Sequence, residues 1–169
     1  MSKFKALENF QPFDKLGINE MYLSEVKITE AVNGKKENWE FIFKNGAGVF
    51  SVKQYFNDEG QPNGYMSSFL KQVHEALGNG KETVMQCLDR VEGKKECKCF
   101  IVGKLEDWEN GAQSGTSIKL GYIGKKRPDD GIVGRFAAEY MSKVKQAPQT
   151  APNPDVPELP TDENGNEIF

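Results

Sequence analysis

Histidine occurs once in this sequence and cysteine three times, and Lys145 is the last basic residue. Each scarcity excludes something. A His-paired nucleophile or a histidine-rich metal site would have to be built around His74 alone, which lies beside Val73 in a helical stretch and reads as a structural or surface residue. Cys87, Cys97 and Cys99 are odd in number, and no apolar h-region opens the sequence. A reducing, cytoplasmic setting is therefore expected. No run approaches the ~20 apolar residues of a membrane-spanning helix, so no membrane association is expected.

Motifs for chemistry are also missing. Cys97-Lys98-Cys99 offers two thiols, but side chains two apart on a strand share one packed face, and zinc wants four ligands, commonly from paired Cys-x-x-Cys turns. Gly78-Asn79-Gly80-Lys81-Glu82-Thr83 imitates the end of a phosphate loop. It carries Glu82 where Ser or Thr is needed, and Glu75 stands where the first glycine belongs. Asp162 to Glu167 imitates the start of a calcium loop but stops before the twelfth-position ligand. The expectation is a protein that is not an enzyme, with no catalytic residue, no metal and no cofactor.

What is present is patterned. The net charge of −3 hides an asymmetry: residues 1–145 carry 22 basic and 20 acidic side chains, a net of +2, while Asp155, Glu158, Asp162, Glu163 and Glu167 give the rest −5. Residues 22–30 are β-rich, and Asn33-Gly34 then offers a tight hairpin turn. Residues 38–44 set Trp39, Phe41 and Phe43 on one face. Asn45-Gly46-Ala47-Gly48 breaks the chain, and 49–56 alternates again. Three strands in an antiparallel meander are expected.

The period then changes. Met66, Phe69, Leu70, Val73 and Leu77 form the apolar stripe of one amphipathic helix, with Gly78 placed for a left-handed cap. Residues 83–88 fit a further short helical turn, and Glu92-Gly93-Lys94-Lys95 a hairpin turn. Residues 95–105 and 117–123 alternate as strands, and 110–115 has the composition of a mobile loop. Three strands, a helix and two strands is the order of an OB-fold, so a mainly β protein is expected: a five-stranded OB-fold-like barrel with one helix between strands 3 and 4.

Around this core the pattern is looser. Phe4, Leu7, Phe10 and Phe13 suggest an irregular lead-in with buried aromatics, and 134–145 fits a second helix. Five prolines between 148 and 160, with no basic residue, predict a disordered, extended tail. The chain divides by sequence into a binding domain, 1–145, and a Pro-rich linker with an acidic tail, 146–169.

Aromatics and lysines interleave on the predicted strands and loops: Lys36 near Trp39, Lys53 near Tyr55, Lys104 near Trp108, Lys119 near Tyr122, then Lys125, Lys126 and Arg127. Single-stranded nucleic acid is held by base stacking on aromatics, ~1–3 kcal/mol per base, and by cations tracking phosphates. These eleven residues are the candidate nucleic-acid-binding set. Trp39 shares its face with Phe41 and Phe43 and reads more readily as core.

The acidic end, with Asp162, Glu163, Glu167, Ile168 and Phe169, resembles the C-termini of bacterial and bacteriophage single-stranded DNA-binding proteins. It is closer to the phage versions, because the proline before the last residue is replaced by Ile168. The resemblance implies a non-sequence-specific protein that protects single-stranded DNA in phage-type replication or recombination. It implies that those five tail residues recruit replication or recombination proteins. Self-association into a homo-oligomer stays open. The alternative is a phage-type regulatory or inhibitor protein that binds a host protein, its tail mimicking nucleic acid. A metal-dependent nuclease is a third reading.

Overall fold

Alternating apolar positions produce five strands in the computed structural model, which describes residues 2–8 and 13–146. They are β1 (Ile18–Thr29), β2 (Asn38–Lys44), β3 (Val49–Tyr55), β4 (Lys98–Asn110) and β5 (Gln113–Gly124). They form one antiparallel sheet in the order β3-β2-β1-β4-β5. The protein is mainly β, with three α-helices among the described residues.

The meander forms where the turn residues place it. Asn33 (φ 49°) and Gly34 (φ 80°) supply the two positive φ angles of a type I′ turn, and the Lys35 N–H donates to the Val32 carbonyl at 2.9 Å. At the next turn the Asn45 Oδ1 accepts from the N–H groups of Ala47 and Gly48 at 2.8 and 2.9 Å. The ladder sets Trp39, Phe41 and Phe43 opposite Gln54, Val52 and Phe50. Residues directly opposite share a face, so this is the inner face, and Phe41, Phe43 and Phe50 are fully buried on it.

Helix α1 (Gly64–Leu77) lays its stripe of Met66, Phe69, Val73 and Leu77 on that face, with the Phe69 ring edge-on to Phe41 at 4.9 Å. Asn63 caps it, Oδ1 accepting from the Met66 N–H at 2.8 Å. Its other end departs from expectation. Gly78 sits at φ −77°, ψ 164°, so it is no left-handed cap. A side chain is excluded there by close approach, since a Cβ would stand 2.3 Å from the His74 carbonyl oxygen.

The interval between β3 and β4 holds two helices, not one. Helix α2 (Val84–Val91) starts at a capping box in which Thr83 Oγ1 accepts from the Gln86 N–H and Gln86 Oε1 accepts from the Thr83 N–H. It is clamped to the end of α1. The Arg90 guanidinium donates to both Glu82 carboxylate oxygens, at 2.9 and 2.6 Å, and to the Leu77 carbonyl at 2.8 Å. The hydrogen bond from Arg90 is the main reason the Glu82 carboxyl is held down to about 2. Consequently the turn at Glu92-Gly93 connects a helix to a strand rather than two strands.

Three other expectations change. Among the described residues the sheet is open: β3 pairs only with β2 and β5 only with β4. Residues 110–115 are not a loop, because β4 and β5 run on as a hairpin to a two-residue turn, Asn110 pairing with Gln113. Both strands are exposed at this tip, so nothing demands an apolar face, and the polar composition imitates a loop. In the lead-in Phe13 packs on the core, but Phe4 is 61% exposed, and Phe10 lies outside the described residues.

The chain divides into two units, Met1–Val133, which holds the sheet, α1 and α2, and Gly134–Phe169. Helix α3 (Ile132–Gln146) realises the expected C-terminal helix. The acidic segment, including Asp162, Glu163, Glu167, Ile168 and Phe169, lies outside the described residues. Among the described residues no helix is long and apolar enough to cross a membrane.

Candidate nucleic-acid interface

An open sheet leaves two strand edges, and α1 lies against the strands that carry them, β3 and β5. Above the helix runs a groove of about 1170 Å³, lined by β3, α1, β4 and β5. Its apolar floor comes from inner-face residues Val52 and Leu120 and from Phe69 of α1. Lys53 and Tyr55 of β3, Lys104 of β4 and Lys119 of β5 line it too.

The ladders place these four on the outer face. Lys53 stands opposite Glu40 and Tyr55 opposite Asn38 across β2–β3, while Lys104 stands opposite Lys119 across β4–β5. The groove thus brings together four of the eleven residues proposed from sequence. Its lysines are accompanied by one carboxylate, Glu106, which pairs with Ser117. The charge balance along the lining is positive, with a tyrosine ring at its edge.

The other seven lie elsewhere. Trp108 is on the same face of β4 as Lys104, further along the hairpin, and its ring lies over Gly115, where a Cβ would meet it at 2.7 Å. Trp39 is on the inner face, its ring 5.5 Å from Phe56 and 6.2 Å from Phe41, and its Nε1–H donates to Glu37 at 3.1 Å. Lys36 pairs with Asp58 at 3.6 Å beside the β1–β2 turn. Tyr122 is half-buried and donates its hydroxyl to the Lys126 carbonyl at 2.9 Å. Lys125 reaches the Gly78 carbonyl at 2.9 Å, tying the segment after β5 to the end of α1. Arg127 is paired with Asp130, and Lys126 is exposed.

Three groove residues escape the apolar-stripe analysis: Tyr65, Ser68 and Gln72 of α1. They recur at i, i+3 and i+7 just off the buried stripe, so they form a second line along the helix. The signal was present in the sequence as an aromatic outside the stripe. Tyr65 is 82% exposed.

The remaining polar chemistry is structural. His74 Nε2 lies 2.7 Å from the Glu82 carbonyl and fastens α1 to the turn before α2. Burial pushes the Cys99 thiol up to about 12 and raises Cys87 as well. Among the described residues no group of three or more His, Cys, Asp or Glu could hold a metal ion. No protein-family model, no curated protein and no solved structure matches this chain.

Proposed function

We propose that the chain is a single-stranded DNA-binding protein that holds its ligand in the groove between β3 and β5, without sequence specificity and without catalysis. The observation that carries the reading is the convergence of Lys53, Lys104 and Lys119 with Tyr55 along one groove. These residues come from β3 and from the β4–β5 hairpin, which lies well beyond it in sequence. Cations at the rim would take phosphates, and a tyrosine ring would take a base. The strand order supports a finer account of the fold: with β1 central and β2–β3 and β4–β5 on its flanks, the sheet is that of a partly open OB-like barrel whose seam lies between β3 and β5.

The sequence of 147–169 supports the rest of the proposal, in which the acidic tail recruits replication or recombination proteins through Asp162, Glu163, Glu167, Ile168 and Phe169. Fluorescence anisotropy of a labelled oligo-dT against a duplex of the same length tests the binding reading. Saturable binding to the single strand and much weaker binding to the duplex is the expected result. Equal affinity for both would remove single-strand binding as the function.

One observation favours the alternative, a regulatory protein that binds another protein. The groove has an apolar floor between two strand edges that are unpaired among the described residues, and such edges can accept an extended peptide. Oligo-dT separates the two readings, because a protein-binding inhibitor should show no affinity for it at any salt.

A further inference from the structure

We propose that α1 forms the base-contacting wall of the groove, with Tyr65 as its stacking platform and Ser68 and Gln72 as its hydrogen-bonding partners; this inference rests on the single-strand reading above. Tyr65 is a large ring 82% exposed on the first turn of a well-capped helix, outside the stripe that packs on the sheet. Core packing does not account for it. Its position is fixed by its neighbours. Asn63 caps α1 and also donates its backbone N–H to the Tyr55 carbonyl at 3.1 Å. That bond holds the start of the helix beside the end of β3, so Tyr55 and Tyr65 both border the groove.

Ser68 and Gln72 follow at i+3 and i+7 and continue the same side of the helix along the groove. A hydroxyl and a primary amide each donate and accept, so together they can satisfy the edge of any base without selecting one. Gln54, on the inner face of β3, adds a second amide to the lining. The lysines, by contrast, rise from the outer face. Phosphates then lie along the outer-face rim, and bases turn inward over Val52, Phe69 and Leu120 toward α1. A duplex cannot bind in this way, because its bases are already paired and stacked.

The test uses the full chain and two labelled probes of equal length, oligo-dT and an oligomer of abasic deoxyribose phosphates. Tyr65→Ala should weaken oligo-dT binding about 5- to 150-fold, as expected for one lost base stack of ~1–3 kcal/mol. It should leave abasic binding and the salt dependence unchanged. Tyr65→Phe should restore oligo-dT binding, and Gln72→Ala should weaken oligo-dT but not abasic binding. Lys119→Gln should weaken both probes. Because Tyr65 is exposed, its variants should melt with wild type, which separates lost contact from lost fold. Tyr65→Ala binding oligo-dT as wild type does, or losing both probes equally, would overturn the assignment of the wall to α1 while the single-strand reading stands. If wild type binds neither probe at low salt, the single-strand reading itself fails, and the wall with it.

Discussion

Lys119 stands directly opposite Lys104 across the β4–β5 ladder, on the outer face at the rim of the groove. Like charges in direct cross-strand register disfavour the fold, by an amount within the roughly 0.2–1 kcal/mol scale of such pairs. A bound anion offsets that cost. Lys119→Gln should therefore leave the melting temperature of the free protein equal to or above wild type, while weakening oligo-dT binding. Thermal melts with and without oligo-dT check both halves. A variant that melts well below wild type would make Lys119 a structural residue.

The single-strand proposal also makes a prediction about the acidic segment. On that proposal the five carboxylates of 147–169 would compete with phosphates for a weakly cationic surface. Deleting 147–169 should tighten binding to short oligo-dT at low salt, and the gain should shrink as salt rises. Unchanged or weaker binding would remove the competition. Phe169→Ala should keep strand affinity and lose the capture of a replication partner.

Acid should loosen the junction of α1 and α2 at a defined point. Glu82 in the fold is depressed from 4.5 to about 2, chiefly by its hydrogen bond from Arg90. A depressed carboxyl contributes stability that is present above its unfolded value and lost as pH falls toward the folded one. The difference in melting temperature between wild type and Glu82→Gln should be full at about pH 5–6 and shrink toward pH 2. A difference independent of pH would show that the charge of Glu82 does not hold the clamp.

Thiol chemistry provides a check on packing. Cys87 and Cys99 are fully buried, with their thiols pushed up by burial, whereas Cys97 is half-buried. A thiol reagent at neutral pH should label one cysteine in the folded protein and all three in denaturant. Rapid labelling of Cys99 in the native state would contradict the sheet interior described above.

Much of this fold is legible in the sequence, for local reasons. Asn33-Gly34 dictates a hairpin because few other pairs accept two positive φ angles, and the Met66–Leu77 stripe dictates a helix that must cover something apolar. The capping box Thr83-x-x-Gln86 marks the start of α2 in the structure, but its eight residues and mixed composition read in sequence only as a short helical turn. The β4–β5 tip was illegible, because strands exposed on both sides need no alternation. The candidate site was legible only in part. Lys53, Lys104 and Lys119 each look like ordinary surface lysines, and only the register of three strands and an open seam brings them together. Trp39 shows the reverse: its sequence neighbours include lysines, but the two-residue period puts its ring on the inner face with Phe41. Tyr65 stands out in sequence only as an aromatic outside the apolar stripe, and its place beside the groove depends on where α1 lies against β3.

The most direct test of the central claim is the affinity for labelled oligo-dT measured across a series of salt concentrations. If Lys53, Lys104 and Lys119 each neutralise a phosphate, the logarithm of the binding constant should fall linearly with the logarithm of salt, with a slope of about −2. Lys119→Gln should make that slope shallower by about 0.7. Absence of binding at the lowest salt, or an affinity indifferent to salt, would contradict the account.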